Sequence, residues 1–233
     1  MKTILVIEDD RELSHGICYA LRKEAYAPMP AYSLKEAKDT FSQNKADLIL
    51  LDVNLPDGEG FSFCGWVRAQ ENSQAIPVLF LTARDLEEDA LKGYELGGDD
   101  YITKPFSMKI LLKKIDVALK RMRTAAGEEA SRAQGSNFDD GFLRIDFDKA
   151  KVEAGGQERS VTPTEFRLLR ELVEHKGKLL TYSVLLERLW DSAGQFVDKH
   201  ALAVNVNRLR GKIEDQDHKY ISNVYGMGYQ WLD

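Results

Sequence analysis

The sequence contains only two cysteines, Cys18 and Cys64, among 233 residues. Two cysteines are too few for a disulfide-stabilised scaffold, and their spacing does not match that of a structural metal site. We therefore predict that both cysteines are buried packing residues. The function classes that depend on a cysteine framework are excluded.

The sequence also lacks a long apolar run. Its most apolar stretches, such as Leu48–Leu51 and Val78–Leu81, have the length of a strand, whereas a membrane-spanning helix needs roughly 20 apolar residues. The first residues, MKTILVI, lead directly into an acidic cluster without the small-residue cleavage site of a secretion signal. We expect a protein that stays in the cytoplasm and has no membrane partner.

An excess of positive charge is the third missing feature. The chain has 32 basic and 38 acidic residues, a formal net charge of −6. This balance argues against a protein that coats nucleic acid without sequence preference. Any DNA binding must therefore come from a local basic patch.

Residues 1–123 alternate short apolar runs with segments of helical periodicity, a pattern typical of a parallel sheet covered by helices. The predicted strands are Thr3–Glu8, Tyr26–Ala31, Ala46–Asp52, Pro77–Thr82 and Asp100–Thr103. The predicted helices lie near 10–24, 33–43, 58–70, 86–96 and 107–123. Five such units predict an α/β domain with a doubly wound, flavodoxin-like sheet, whose sites lie at the carboxyl ends of the strands.

The second half of the chain shows a different pattern. Residues 124–137, TAAGEEASRAQGSN, are small and polar and indicate a flexible linker. Residues 138–233 then predict a small antiparallel sheet over 138–160, a capped helix that begins near Thr162, helices near 182–190 and 197–214, and a hairpin over Tyr220–Trp231. Three helices followed by a hairpin predict a winged helix-turn-helix, an α+β domain.

Chemically important side chains lie at four of the predicted strand ends of the first domain. They are Glu8 and Asp9, Asp52, Thr82, and Lys104. The three acids would place like charges in one crevice, which is unfavourable unless a cation neutralises them. Carboxylate oxygens suit Mg²⁺. Asp52 is then a candidate nucleophile toward a phosphoryl group, Lys104 a counter-charge for the transferred oxygens, and Thr82 a hydroxyl that binds the phosphate.

These residues lie in motifs that resemble the receiver domain of two-component response regulators. The motifs are VIEDD from Val6, LLDVNLPDG from Leu50, LTA from Leu81 and GGDDYITKPF from Gly97. The resemblance covers residues 1–121. It implies that a sensor histidine kinase phosphorylates Asp52, that Asp9, Asp52 and the Asn54 backbone carbonyl hold Mg²⁺, and that Thr82 and Tyr101 form a switch. In that switch Thr82 moves toward the phosphate and Tyr101 turns inward.

In the OmpR/PhoB subfamily of these regulators, the face made by the fourth helix, the fifth strand and the fifth helix joins two phosphorylated receivers through charge pairs. Matching by position pairs Asp99 with Arg121 and Asp100 with Lys114. Ala90 and Ile110 replace one charged pair with apolar residues, and Glu95 and Asp116 bring two acids together. We expect a homodimer on phosphorylation, with weaker or differently balanced contacts than usual.

The second domain resembles the winged-helix domain of the same subfamily, through VTPTEFRLL from Val161, LLERLW from Leu185, NRLRGKI from Asn207 and VYGMGY from Val224. The resemblance implies binding to double-stranded promoter DNA. In our reading of the last helix, Val197, Ala201, Val204, Leu209 and Ile213 form its buried face. The candidate DNA contacts are Lys199, His200, Asn205, Arg208, Arg210, Lys212 and Tyr225. His200, Ala201, Ala203, Asn205 and Tyr225 depart from the residues usual in the family, so we expect fewer phosphate contacts and a shallower salt dependence.

Two other functions are compatible with parts of this pattern. Phosphatases of the haloacid dehalogenase type also use an aspartate nucleophile, but they need an acid two residues later, where this chain has Asn54. We therefore predict a protein that is not an enzyme, apart from slow dephosphorylation of itself. The second alternative is a phosphorylation-independent regulator that uses the receiver for protein contacts, and it stays open.

Overall fold

The protein is described from a computed structural model. The structure describes residues 1–70, 73, 75–83, 98–125, 137–190 and 199–232. The chain divides into two compact units, Met1–Lys120 and Arg121–Asp233. The predicted helix at 86–96 and most of the predicted linker lie outside the described residues.

The first unit contains a five-stranded parallel sheet, as predicted. Its strands are β1 (Thr3–Ile7), β2 (Ala27–Ala31), β3 (Leu48–Asp52), β6 (Val78–Ala83) and β7 (Asp100–Lys104), in the spatial order β2-β1-β3-β6-β7. A two-stranded hairpin, β4 (Asn54–Leu55) with β5 (Gly58–Glu59), follows β3 and was not predicted. The order reverses between β1 and β3, so a crevice opens at their carboxyl ends.

Four described helices accompany this sheet: α1 (Arg11–Lys23), α2 (Leu34–Gln43), α3 (Gly60–Arg68) and α4 (Met108–Ala125). Asp10 caps α1, because its side chain accepts hydrogen bonds from the backbone N–H groups of Glu12 and Leu13. Ser33 caps α2, because its side chain accepts a hydrogen bond from the backbone N–H of Glu36. Among the described residues, no helix combines the length and the apolar character that crossing a bilayer requires.

Both faces of the sheet are buried. Ile4 and Val6 of β1 pack with α1 and α4 on one face, in a core that includes Cys18. On β1 the intervening residues Leu5 and Ile7 are also fully buried. Cys64 is buried as well, so the prediction that both cysteines are packing residues is confirmed. A strand that is apolar at every position is typical of a parallel sheet covered on both sides.

The second unit begins with a four-stranded antiparallel sheet, which consists of β8 (Phe138–Asp139), β9 (Leu143–Asp146), β10 (Lys151–Ala154) and β11 (Gln157–Arg159). Three helices follow: α5 (Pro163–Glu174), α6 (Tyr182–Leu189) and α7 (Lys199–Ile213). The closing hairpin of β13 (Ile221–Val224) and β14 (Gly228–Trp231) pairs with β12 (Leu179–Thr181). This arrangement confirms the predicted winged helix-turn-helix.

Candidate functional site

The predicted carboxylate pocket lies at the carboxyl ends of the parallel strands. Asp52 is the last residue of β3, and Glu8 directly follows β1. Thr82 is the penultimate residue of β6, and Lys104 is the last residue of β7. Because neighbouring parallel strands end at the same edge, the four residues lie at one edge of the sheet.

Lys104 joins the two buried acids of the pocket. Its Nζ lies 2.7 Å from Asp52 Oδ2 and 2.7 Å from Glu8 Oε2. The two carboxylate side chains are 8% and 1% exposed, respectively, and the lysine side chain is 26% exposed. The peptide bond between Lys104 and Pro105 is cis. The predicted contact between Lys104 and the phosphoacceptor candidate is therefore present.

Three carboxylates of this pocket are close enough to share a cation. One oxygen each of Glu8, Asp9 and Asp52 lies within 4.8 Å of the others. Glu8 and Asp52 are buried, whereas Asp9 is exposed. Asp10, the third acid of the same run, caps α1 instead. The cluster is a donor set that could bind a metal ion, and hard oxygen ligands are the kind that Mg²⁺ prefers.

The pKa of Glu8 is raised to about 7 in this pocket. Burial is the main cause, the hydrogen bond from Lys104 opposes it, and the neighbouring charge of Asp52 raises the pKa further. For Lys104, burial lowers the pKa, but the bonds to Asp52 and Glu8 outweigh it and the net pKa is raised. The pocket is short of positive charge even with a protonated lysine, and a bound cation would remove that shortage.

Thr82 and Tyr101 are both buried, with 3% and 6% of their surface exposed. The Tyr101 ring stacks on Phe80 at a centroid distance of 5.1 Å and an interplanar angle of 17°. We expected an outward ring that turns inward with phosphorylation, but the ring already faces inward. The stack on Phe80 explains this position, because it buries the ring against the neighbouring strand.

Gly60 is a site residue that the sequence analysis missed. It is the first residue of α3, and a Cβ atom there would lie 2.1 Å from the backbone oxygen of Asp52. Only glycine allows this close approach of helix and phosphoacceptor. The available signal was its place shortly after Pro56-Asp57-Gly58, in the loop that follows Asp52.

The prediction that Asp99 belongs to an exposed dimer face is wrong. The residue is 5% exposed. Its Oδ2 accepts from Arg68 Nη2 at 2.9 Å and from the backbone N–H of Val78 at 3.0 Å. Asp99 is therefore used inside the receiver, because a buried carboxylate needs a charged partner and hydrogen bonds.

The other predicted dimer residues have mixed outcomes. Asp100 and Lys114 do meet, at 2.7 Å, but within one chain. Ile110 is 47% exposed, as an interface residue would be. Asp116 pairs with Lys120 one turn later on α4. Ala90, Glu95 and the side chain of Arg121 lie outside the described residues.

In the second unit, the buried face of α7 differs from the predicted one. Asn205 is 1% exposed, and its Nδ2 donates to the carbonyl of Ala201 at 2.9 Å. The prediction that Asn205 faces DNA is therefore wrong, and Val204 is only half-buried. Val197 lies outside the described residues. The buried side chains of α7 are Ala201, Leu202, Asn205, Val206, Leu209 and Ile213.

Asn207 takes the outward position that was assigned to Asn205. It is exposed, as are Lys199 and His200 on the same helix. At about 100° per residue, Asn207 and Asn205 point about 160° apart, so they lie on nearly opposite sides of the helix. The sequence carried a signal for this correction, because Asn205 lies only about 40° around the helix from Ala201 and from Leu209, both of which were predicted to be buried.

Two predicted DNA contacts are ion-paired within the domain. Arg208 Nε lies 3.3 Å from Glu165 Oε1, and Lys212 Nζ lies 2.5 Å from Glu165 Oε2. The Glu165 side chain is fully buried and also accepts from the N–H of Thr162, which completes the capping box of α5. These cations therefore neutralise a buried acid, whatever else they contact.

The remaining candidates surround the hairpin and the start of α7. Arg210 donates to the carbonyl of Ile221 at 2.7 Å, so it binds the hairpin. Lys199 Nζ lies 5.0 Å from the centre of the Tyr182 ring. Tyr225, at the turn of the hairpin, is fully exposed. Among the predicted DNA contacts, the exposed residues are thus Lys199 and His200 at the start of α7 and Tyr225 at the hairpin tip.

Comparison with known proteins agrees with this geometry. Residues 4–116 match the family described as response regulator receiver domain, and residues 156–231 match transcriptional regulatory protein, C terminal. The phosphate regulon transcriptional regulatory protein PhoB of Escherichia coli is 34% identical over 99% of this chain and 97% of its own. The sensory transduction protein RegX3 of Mycolicibacterium smegmatis is 34% identical over 99% of both chains.

Solved structures show the same architecture. A mutant of RitR matches with a TM-score of 0.76 and 28% identity over 99% of both chains. DrrB of Thermotoga maritima, described as an OmpR/PhoB homolog, matches with a TM-score of 0.52 and 28% identity over the full length of both chains. The chain belongs to the response regulators of the OmpR/PhoB type, transcription regulators with a receiver domain and a DNA-binding domain.

Proposed function

We propose that this regulator is switched by phosphorylation of Asp52. The observation that carries the proposal is the pocket geometry, in which Lys104 Nζ lies 2.7 Å from Asp52 Oδ2 beside two further acids. A carboxylate oxygen of Asp52 attacks the phosphorus of a phosphohistidine on a sensor kinase. The P–N bond breaks as the P–O bond forms, and the imidazole leaves with a proton.

Mg²⁺ fits the donor set of this pocket. Glu8, Asp9 and Asp52 would hold the ion together with the backbone carbonyl of Asn54, directly or through water. The ion would neutralise charge that spreads over the transferred oxygens. Lys104 contributes a second positive charge from the end of β7, and it orients Asp52 through its hydrogen bond. We propose that the protein is not an enzyme beyond slow loss of its own phosphoryl group.

The signal passes from Asp52 to the surface of β7 and α4. A phosphoryl group brings nearly two negative charges beside Thr82, whose hydroxyl can donate to it. Movement of Thr82 changes the packing around the stacked Tyr101 and, through β7, the surface that carries Ile110. We propose that this surface, with the helix predicted at 86–96, forms a homodimer whose balance differs from the usual charge-paired one.

Promoter DNA is the proposed partner of α7 and the hairpin. His200 and Asn207 lie on the exposed side of α7, where side chains can reach base edges in a major groove. Lys199 and Tyr225 extend this surface. Arg208, Arg210 and Lys212 each also bind within the domain, and their partly exposed ends can still contact phosphates.

The boundaries and the location follow from this function. We propose a receiver over residues 1–123, a linker over 124–137, whose first two residues are the end of α4, and a DNA-binding domain over 138–233. The matches to residues 4–116 and 156–231 are compatible with these limits. A regulator that binds promoter DNA acts where the DNA is, and a cytoplasmic location follows from that partner.

The proposal is tested by incubating the protein with Mg²⁺ and acetyl phosphate. Intact mass measures phosphoryl uptake, and gel shift measures affinity for duplex DNA selected from a genomic library. The wild type and a control, Asp47→Asn, should gain one phosphoryl group and bind DNA more tightly. Asp52→Asn should do neither. Equal uptake by Asp52→Asn would refute the assignment of Asp52, and uptake without any change in DNA affinity would favour a phosphorylation-independent regulator.

A further inference from the structure

The loop after Asp52 forms a small closed hairpin. Asn54 pairs with Glu59, and Leu55 pairs with Gly58. At the base of the hairpin, the N–H of Gly60 donates to the carbonyl of Val53 at 2.8 Å. Both ends of the hairpin therefore lie close to the phosphoacceptor, and its tip lies farther away.

Asp57, at the tip of the hairpin, is bound to the start of α2. Its Oδ1 accepts from the N–H of Leu34 at 2.7 Å, and its Oδ2 accepts from the N–H of Lys35 at 2.9 Å. Ser33 caps only the next N–H, that of Glu36. The carboxylate of Asp57 thus satisfies the two first N–H groups of α2, where the helix dipole also favours a negative charge.

This contact also affects the pKa of Asp57. Its slight burial would raise the pKa, but the backbone hydrogen bonds from Leu34 and Lys35 outweigh that effect, and the net pKa is lowered. The neighbouring Gly58 has a φ of 145°, and a Cβ atom there would lie 2.9 Å from Leu34 Cδ1. The glycine therefore lets the hairpin approach α2 closely enough for the contact to form.

We infer that Asp57 is a positioning residue that fixes the Asn54 carbonyl for the metal. The inference rests on the proposed function, in which that carbonyl is a metal ligand. Asn54 belongs to a hairpin held at its base by Gly60 and at its tip by Asp57. Mg²⁺ demands a near-ideal octahedral arrangement of its ligands. Release of the tip should therefore weaken metal binding, while the three carboxylates stay in place.

Asp47 offers a matched control in the same domain. Its Oδ1 accepts from Lys2 Nζ at 2.7 Å, and its Oδ2 accepts from the N–H of Thr3 at 2.7 Å. It directly precedes β3, so it lies at the opposite end of the strand that carries Asp52. Its pKa is also lowered, because these hydrogen bonds outweigh the effect of burial. Asp47→Ala removes a similar pair of bonds far from the pocket.

The experiment compares the full-length wild type, Asp57→Ala and Asp47→Ala. Mn²⁺ serves as the probe, and electron paramagnetic resonance of the free ion gives its dissociation constant. Thermal unfolding and the Mg²⁺ dependence of phosphoryl uptake from acetyl phosphate are measured on the same samples. We expect Asp57→Ala to raise the Mn²⁺ dissociation constant about tenfold, as loss of an outer-shell partner of a metal site does. Its uptake should recover at high Mg²⁺.

Asp47→Ala should leave the dissociation constant unchanged even if it lowers the unfolding temperature. Asp57→Asn keeps one acceptor oxygen, so it should give an intermediate constant, and it carries the test if the alanine variant does not fold. Unchanged Mn²⁺ binding by the Asp57 variants, or an equal change in Asp47→Ala, would overturn the inference. Absence of Mn²⁺ binding by the wild type would instead overturn the metal site of the proposed function.

Discussion

Glu165 should be the main electrostatic support of the DNA-binding helix. Its side chain is fully buried and pairs with Arg208 and Lys212 of α7, whose side chains are 23% and 27% exposed. In Glu165→Gln, the amide oxygen can still accept from Thr162, so the capping box survives. What is lost is the negative charge that holds two cations against α5.

The size of the effect follows from the exposure of these groups. Removing one partner of a fully buried pair costs about 3–5 kcal/mol. Here the two cations keep part of their hydration, which reduces the expected loss in the free energy of unfolding to about 2 kcal/mol. That loss corresponds to an increase of about 30-fold in the unfolding equilibrium constant.

Urea unfolding followed by tryptophan fluorescence measures this loss, because Trp190 and Trp231 lie in the same unit as Glu165. Glu171→Gln is the matched control on the same helix. Glu171 pairs with Arg188 at 2.6 Å, but their side chains are 23% and 43% exposed, so the control should lose less than about 0.5 kcal/mol. Equal stability losses in the two variants would refute the special role of Glu165.

Variants of Glu165 and Arg208 separate effects on the stability of the domain from effects on DNA binding. Glu165→Gln leaves Arg208 in place and should keep DNA affinity at temperatures where the domain is folded. Arg208→Ala should weaken binding to all duplexes if its guanidinium also contacts phosphate. Unchanged affinity of the folded Arg208→Ala variant would make this arginine purely structural.

Three further predictions concern single contacts. Gly60→Ala should abolish phosphoryl uptake, because its Cβ would lie 2.1 Å from the backbone oxygen of Asp52; normal uptake by the variant, measured by intact mass, would contradict this. Asn207→Ala should weaken binding to the preferred duplex by about 1–3 kcal/mol, measured by gel shift. Asn205→Ala should mainly reduce the free energy of unfolding, by about 1 kcal/mol, measured by urea titration. The reverse pattern would refute the corrected assignment of the exposed side of α7. Pro28 and Pro30 lie on the edge strand β2, where the N–H of Ala27 donates toward β1. The backbone of positions 28 and 30 therefore faces the open edge of the sheet, where the two prolines present no N–H donor. The double threonine variant should self-associate in sedimentation, and a monomer at high concentration would argue against this protection.

The elements that follow from burial were predictable from the sequence. Strands such as Leu48–Asp52 are buried on both faces and read as continuous apolar runs. The meeting of Asp52 with Lys104 was also predictable, because residues at the ends of parallel strands share one edge. The two-residue strands of the β4–β5 hairpin were not predicted, because they are too short to show a periodic pattern.

The errors arose where sequence shows a residue type but not its partner. Asp99 and Asp100 are adjacent acids, yet one is buried against Arg68 and the other pairs with Lys114. The cations of α7 likewise suggested DNA, although a buried acid on α5 binds two of them. Only the three-dimensional packing decides which charge neutralises which, because the partners are far apart in the chain.

Asn205 was misassigned for a related reason. Asn205 lies one helical turn after Ala201 and one turn before Leu209, and both of these were placed on the predicted buried face, so the helical period already puts Asn205 there. In the structure the side-chain Nδ2 of Asn205 donates a hydrogen bond to the carbonyl of Ala201, so this polar side chain is tolerated in the core. The prediction gave more weight to the polar residue type of Asn205 than to its position on the helix, and the outward amide, Asn207, was overlooked.

The central claim is that Asp52 carries the phosphoryl group that switches this regulator. Borohydride reduction of the protein after treatment with Mg²⁺ and acetyl phosphate tests it most directly, because it converts an aspartyl phosphate into homoserine. Peptide mass spectrometry should then find homoserine at position 52 and only in samples that received both reagents. Homoserine at Asp9 or another acid, with Asp52 unmodified, would contradict the account.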